Sequence, residues 1–218
     1  MEVQTPLSRR IAEFALSLRL PDIPADVAEY GKLLLTDTFG VAMSCQNMEH
    51  AAAVKRAVEA MGSAPQATLW GTDEKASLPD AALYNAALIH GADYDDTHVA
   101  GIVHPSAAVV ATAVTVGEYA HSSGEEVLAA IVAGWEVITR LGIAAKGRFH
   151  DRGFHGTGIA ASFAGRESTC SKKKTRTDRV PRAGKARGCF FSEKCDEKAR
   201  ILVQSDTQKQ WHRHICPV

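Results

Sequence analysis

The sequence predicts an all-α protein, and three observations lead to this fold class. Hydrophobic residues make up 45% of the 218 residues but aromatic residues only 6%, a composition typical of a helix-rich protein. Apolar residues recur at helical spacing along the chain as far as Ala164. Residues that start or stop helices flank these periodic segments. We therefore predict one helical domain over residues 1–164, followed by a tail over residues 165–218.

The helices can be placed in order along the chain. After an amphipathic first helix, Asp22 or Pro24 marks the start of the second. Residues 67–70 lie between turn residues, which predicts a short extended segment. Ser123 and Glu126 form a capping box in front of a long apolar helix, which must be buried. The predicted helices cover residues 11–18, 24–43, 50–61, 79–92, 107–120 and 125–141, and a last helix opens at residue 158.

The tail differs from the rest of the chain in charge and in cysteine content. From Gly165 onward there are 14 Lys and Arg residues against six Asp and Glu residues, although the whole chain has 25 of each. The tail has no sustained apolar period. Four of the five cysteines lie in it without a CxxC pair, which argues against a zinc module. We predict that this basic segment is disordered or out of frame.

Composition also bears on location. No apolar run approaches the length of a membrane span, so we expect no membrane contact. The single cysteine outside the tail, Cys45, is typical of a reduced intracellular protein. We expect a cytoplasmic location. Three arginines near the N-terminus leave a mitochondrial transit peptide as the alternative, which two early glutamates disfavour.

The densest group of chemically active side chains lies in residues 90–106. Residues 90–98 read His-Gly-Ala-Asp-Tyr-Asp-Asp-Thr-His, and His104-Pro-Ser follows shortly. A core does not need such a segment, because buried charge is costly unless it is paired. A carboxylate beside an imidazole can orient the ring and shift its pKa for proton transfer. We therefore predict acid–base chemistry, and we expect Asp93 to matter more than Asp95.

Two other interpretations of this segment remain open. Acidic residues at the end of a helix are commonly solvated and without function. Mixtures of Asp and His can also bind zinc or iron. Because no HxxxH or HExxH pair is present and the spacing from His90 to His98 is unfamiliar for ligands, we predict no metal. We assign His98 to substrate binding instead.

A glycine-rich turn into a helix forms the second motif. Residues 154–158 read Phe-His-Gly-Thr-Gly, and the glycines leave backbone N–H groups accessible to an anion such as a carboxylate. Gly156 and Thr157 are therefore predicted to bind substrate. His104 stands before Pro105, at a helix N-terminus that favours anions in the same way. The turn is neither a P-loop nor a dinucleotide-binding fingerprint.

Together these motifs resemble the MmgE/PrpD family, which includes 2-methylcitrate dehydratase and cis-aconitate decarboxylase. The resemblance covers roughly residues 7–164, and its specific part is the pairing of the acidic segment with the two histidine motifs. The similar stretches are His90–Thr97, Val103–Ser106, Leu128–Val137 and Gly153–Gly158, with Ala12–Phe14 and Leu34–Val41 in support.

The resemblance implies a helical domain joined to a smaller α+β lid domain, usually in a homodimer. It implies lyase chemistry without a cofactor, on small di- or tricarboxylates such as 2-methylcitrate or cis-aconitate. In that scheme His104 and His155 are catalytic imidazoles, and Asp93 and Thr97 orient them or the substrate. The expected partner is a small polycarboxylate rather than a nucleic acid.

The resemblance also implies a chain about twice as long, in which the lid and a catalytic Lys and Tyr follow the helical domain. We therefore expect the N-terminal part of such an enzyme, with little or no turnover by these 218 residues alone. Two alternatives remain. One is a dicarboxylate isomerase or epimerase on the same scaffold, which uses the same proton abstraction. The other is a non-catalytic fragment whose basic tail binds nucleic acid.

Overall fold

The protein is mostly helical, which confirms the predicted fold class. The computed structural model describes residues 6–168. Within this part, the one sheet pairs β1 (Ala67–Thr68) with β2 (Lys75–Ala76) in antiparallel register. β1 lies inside the predicted extended segment, and β2 follows it. The helices of the described residues are α1 (Leu7–Ser17), α2 (Ala25–Ser44), α3 (Glu49–Met61), α4 (Leu78–His90), α5 (Pro105–Ala120), α6 (Gly124–Ala145), α7 (Arg148–Asp151) and α8 (Gly156–Ser168).

The last described helix continues through the predicted domain boundary. α8 crosses residue 164 and is described as far as Ser168. The predictions of a disordered or out-of-frame tail, and of nucleic-acid binding by it, otherwise lie outside the described residues.

α6 begins where the sequence predicts and ends later. The Oγ atom of Ser123 accepts a hydrogen bond from the N–H of Glu126, whose carboxylate accepts one from the N–H of Ser123 at 2.8 Å. The predicted end at Leu141 is wrong, because the helix runs four residues further. Gly142 resembles a stop signal but lies inside the helix. A Cβ atom there would lie 2.4 Å from the carbonyl oxygen of Gly101, so glycine serves close packing rather than termination.

The core lies around α5 and α6, which pack against each other and against α4 and α8. Side chains of both helices are fully buried, among them Val109, Val110, Ile131 and Ile138. The expectation that these apolar helices are buried is confirmed. Each such side chain stabilises the fold by roughly 1.5–3 kcal/mol. The ends of these helices are therefore held by a well-packed core, which can position functional groups accurately.

The apolar character of α6 corrects one expectation from the sequence. At 22 residues the helix is long and apolar enough to cross a membrane, although we expected no run of that length. In this protein 67% of its most apolar window is buried by the rest of the fold. Core helices have the same length and composition, so the helix is weak evidence for a membrane span.

Candidate active site

Four histidines lie together where α4, α5, α7 and α8 meet, and we call them the imidazole cluster. His90 ends α4, His104 precedes α5, His155 precedes α8 and His150 lies in α7. The ring centroid of His90 is 5.0 Å from that of His104 and 5.8 Å from that of His155, and the centroids of His150 and His155 are 6.2 Å apart. His104 and His155, which the resemblance assigns to catalysis, are thus brought together from positions 51 residues apart in the sequence.

The first two carboxylates of the acidic segment differ sharply in environment. The side chain of Asp95 is 1% exposed, and both its oxygens lie 3.1 Å from Nδ1 of His90. Its Oδ1 atom is also 3.4 Å from Nδ1 of His104. The side chain of Asp93 is 82% exposed, and its nearest oxygen lies 3.7 Å from Nε2 of His104. We expected Asp93 to be the more closely engaged carboxylate, and the structure shows the reverse, because Asp95 points into the protein and Asp93 into solvent.

The third carboxylate has a structural role. Asp96 accepts a hydrogen bond from the backbone N–H of Ser106 at 3.0 Å, and this N–H is one of those left unpaired by the first turn of α5. The hydroxyl oxygen of Ser106 accepts a hydrogen bond from Nε1 of Trp135 at 3.0 Å. Burial raises the pKa of Asp96, and the donors of Ser106 partly oppose this shift. The His-Pro-Ser motif therefore ties α5 to the acidic segment and to α6.

Thr97 lies beside His104, in agreement with the role that the resemblance implies. Its Oγ1 atom is 3.3 Å from Nδ1 of His104 and 3.4 Å from the backbone oxygen of Asp95. The threonine hydroxyl and the Asp95 carboxylate thus lie on the same edge of the His104 ring. The structure places Thr97 where it can orient this imidazole, and its role in catalysis stays a prediction.

A strained residue lies next to the cluster. Ile102 has φ +51°, in the left-handed region that a β-branched residue seldom adopts. Such a conformation costs on the order of 1–3 kcal/mol and persists only where the surroundings impose it. The surroundings here are close: a Cβ atom on Gly156 would lie 2.9 Å from the oxygen of Ile102 and 3.0 Å from the His150 ring. Gly156 is therefore required for the close approach of α8 to the loop before His104.

Thr157 is buried and links two helix N-termini. Its Oγ1 atom accepts a hydrogen bond from the backbone N–H of His104 at 2.9 Å. This contact joins the start of α8 to the start of α5 across 53 residues of sequence. The predicted contact of Thr157 with substrate stays a prediction, and in the structure its hydroxyl oxygen accepts a bond from the backbone. It therefore holds the two motifs in place.

We expect Thr157→Val to destabilise the protein by about 1–3 kcal/mol, because the N–H of His104 loses its acceptor while the side-chain shape is kept. Thr157→Ser is the matched control, since it retains the hydroxyl and should cost much less. Urea unfolding of the purified chain, followed by far-ultraviolet circular dichroism, measures both free energies. Equal stability of the Val and Ser variants would show that this hydrogen bond is unimportant.

His98 forms hydrogen bonds within the loop before His104. It is buried, and its Nδ1 atom accepts a hydrogen bond from the backbone N–H of Gly101 at 3.1 Å. The backbone N–H of His98 donates to the backbone oxygen of Val103 at 2.9 Å, and this bond closes the loop before His104. These contacts make His98 a structural residue of the loop. A direct contact of His98 with substrate stays a prediction.

The environments of two imidazoles shift their pKa values in opposite directions. The hydrogen bond to Asp95 raises the pKa of His90 above its ordinary value of 6.5, and burial opposes this shift only in part. The pKa of His155 is lowered, by partial burial of the ring and then by the charges of His90, His104 and His150. At a given pH the cluster therefore favours the protonated ring at His90 more than at His155.

The family model of the MmgE/PrpD N-terminal domain matches residues 9–174, which is more than half of the chain. The chain belongs to the MmgE/PrpD family. This family includes dehydratases and decarboxylases, and the match confirms the resemblance seen in the motifs. It also extends ten residues beyond the predicted domain boundary at residue 164. No curated protein matches the chain in sequence.

The MmgE/PrpD site contains a donor set that the sequence spacing did not reveal. Single ligand atoms of His90, Asp93, Asp95 and His104 all lie within 4.8 Å of one another. Two imidazoles and two carboxylates suit a divalent transition metal. Ligand-spacing rules apply within one helix or turn, whereas here the loop folds back on the end of α4. The absence of a metal from the reaction stays a prediction, and it needs a direct test.

Three residues of this MmgE/PrpD site were not assigned from the sequence. His90 and Asp95 were part of the acidic segment but received no role, and His150 was not considered. The available signal was the five-residue separation of His90 and Asp95 across the end of α4. A helix that ends at His90 lets the following loop return its carboxylate to the last ring. No local signal marked His150, because its neighbour His155 belongs to the next helix.

Proposed function

We propose that this domain provides the acid–base groups of a cofactor-free lyase that dehydrates or decarboxylates small di- or tricarboxylates. The observation that supports this best is the opposite displacement of the pKa values of His90 and His155, whose rings lie 5.8 Å apart. Neighbouring groups with separated pKa values can act as acid and base at one pH. Family membership adds support, because the family includes both reaction types.

Three groups at the site can attract the carboxylates of a substrate, and Asp93 and Asp95 oppose them. The N-termini of α5 and α8 both lie at the imidazole cluster, and His104, the N-cap residue of α5, makes no side-chain capping bond. Each helix N-terminus acts as about half a positive charge toward a carboxylate. A protonated His90 adds to this potential. These groups support binding of a carboxylate beside the rings.

The proposed chemistry needs one proton acceptor and one proton donor. In dehydration, the neutral ring of His155 removes a proton from the carbon next to a carboxylate. The C–H electron pair forms the new C=C bond, the C–O bond breaks, and the leaving oxygen takes a proton from a protonated imidazole and departs as water. In decarboxylation the C–C bond breaks, CO2 departs, and the carbanion that remains takes the proton.

A substrate panel tests this proposal. Binding of 2-methylcitrate, cis-aconitate and a chiral dicarboxylate to the chain is measured by calorimetry. Turnover is measured in the chain extended by a family lid domain. Release of water indicates a dehydratase, release of CO2 a decarboxylase, and racemisation the epimerase alternative. We expect binding to weaken as the pH rises through the pKa of His90, because the imidazolium loses its charge. If the chain binds none of these acids and the extended chain converts none of them, the proposal is wrong.

Metal removal tests the cofactor-free part of the proposal. Because each proton transfer is assigned to an imidazole, we expect turnover to be unchanged after dialysis against a chelator. The control is the same protein with zinc or iron added back. Activity that disappears with the chelator and returns with one of these metals would show that the donor set at His90, Asp93, Asp95 and His104 holds a catalytic ion.

A further inference from the structure

We propose that Asp95 is a positioning residue and that His90, the ring it positions, is the proton donor of the site. This inference rests on the proposed lyase function. It assigns roles to two residues that neither the sequence motifs nor the family resemblance singled out.

The contact between the two residues is close and shielded. Both carboxylate oxygens of Asp95 lie 3.1 Å from Nδ1 of His90, and the Asp95 side chain is 1% exposed. A buried carboxylate is costly without a partner, so this contact is strongly favoured. Because Nδ1 of His90 donates to Asp95, its Nε2 atom is the nitrogen that can exchange a proton with a substrate. The buried carboxylate thus selects the orientation and the tautomer of this ring.

The position of His90 in the fold favours its charged form further. It is the last residue of α4, where the partial negative charge of a helix C-terminus stabilises a cation. The titratable groups that surround it are Asp93 and Asp95, which favour the charge, and His104 and His155, which oppose it when protonated. The hydrogen bond to Asp95 outweighs the burial of the ring, so the pKa is raised.

The remaining imidazoles are less suited to donate this proton. The lowered pKa of His155 makes it a proton acceptor. His104 lies 3.4 Å from Asp95 and 3.3 Å from the Thr97 hydroxyl, at longer distances than the His90 contact. The ring centroid of His90 lies within 6 Å of the ring centroids of both His104 and His155. After each dehydration His90 is neutral and His155 is charged, and exchange with water restores both. After each decarboxylation only His90 has lost a proton, which water returns.

Histidine NMR of the 218-residue chain tests the positioning directly and requires no activity. The protein is labelled at its imidazole carbons, titrated from about pH 5 to 9, and the His90 signal is assigned from His90→Gln. We expect His90 to titrate above 6.5 in the wild type and closer to 6.5 in Asp95→Asn. Asp93→Asn, the matched control, should shift it less, because this exposed carboxylate acts on His90 only through space. A wild-type value at or below 6.5, or no change in Asp95→Asn, would overturn the positioning role.

Stability gives a second readout of the same contact. A pKa raised in the folded state contributes stability that is fully present below 6.5 and is lost as the pH rises through the folded value. Asp95→Asn should therefore destabilise the protein more at about pH 6 than at about pH 9. A destabilisation that is the same at both pH values would mean that the contact does not depend on the charge of His90, which contradicts the proposal.

The donor role is tested with the inert probe tricarballylate and with the lid-extended chain. His90→Gln should weaken tricarballylate binding at low pH and remove most of its pH dependence, because the imidazolium charge is lost. In the lid-extended chain it should lower kcat by about a hundredfold and remove the high-pH limb of the rate profile. Unchanged binding and kcat would show that the contact between His90 and Asp95 is only structural, and the donor role of His90 would be wrong. If the wild type binds no polycarboxylate while the NMR result holds, the lyase function and the donor role both fail, and only the positioning of His90 by Asp95 stands.

Discussion

Replacing His155 with alanine is expected to lower kcat at least about a hundredfold in the lid-extended chain, because the site loses its neutral proton acceptor. The ring of His155 is within 6 Å of that of His90, and its pKa is lowered by partial burial and by the neighbouring imidazoles. It therefore stays neutral at a pH where His90 is still protonated. We expect His104→Ala to have an effect of similar size, since Thr97 and Asp95 both lie on one edge of that ring.

The matched control for these two variants is His121→Asn. His121 ends α5 at the opposite side from His104, about 24 Å away for a helix of this length. It has φ +53°, a conformation that Asn also adopts readily. Steady-state rates with 2-methylcitrate and cis-aconitate measure all three variants, and circular dichroism confirms that they are folded. A near-normal rate in His104→Ala or His155→Ala would remove that residue from the catalytic scheme.

Gly142→Ala is expected to destabilise the domain by about 1–3 kcal/mol, although alanine is the better helix former. The added Cβ atom would lie 2.4 Å from the oxygen of Gly101 and 2.9 Å from its Cα atom, and a backbone cannot turn away as a flexible side chain can. The loop from His98 to Val103 must then move away from α6. Because this loop leads directly into His104, we expect the NMR signal of that imidazole to shift as well.

Gly40→Ala is the control for this substitution. Gly40 lies in the interior of α2, and a Cβ atom there would meet nothing within 4 Å. The same change of residue should therefore stabilise the protein by about 0.5–1 kcal/mol. Urea unfolding of the two variants compares the free energy gained from helix propensity at residue 40 with the free energy lost from close packing at residue 142. A Gly142→Ala protein that is as stable as Gly40→Ala would show that the loop and α6 are not in the close contact described.

The order and type of the elements follow from local signals in the sequence. Helical periodicity and the capping box at Ser123 depend on neighbouring residues, so they are readable without the fold. The pairing of the acidic segment with the two histidine motifs was enough to predict the family, which the match over residues 9–174 confirms. The structure brings His104 and His155 into one cluster with Thr97 beside His104, and their catalytic roles stay predictions.

Only the tertiary structure decided how the acidic segment is used. Its three carboxylates are equivalent in sequence, yet Asp93 faces solvent, Asp95 is buried against His90, and Asp96 bonds to the N-terminus of α5. An extended segment would place Asp93 and Asp95 on the same face, but the chain turns at Asp93, where φ is +52°. Gly142, which directly follows the predicted end of α6, likewise lies inside the helix, because Gly101 packs against it. Local signals determine which elements form. The roles of individual side chains depend on what the packing of distant segments places beside them.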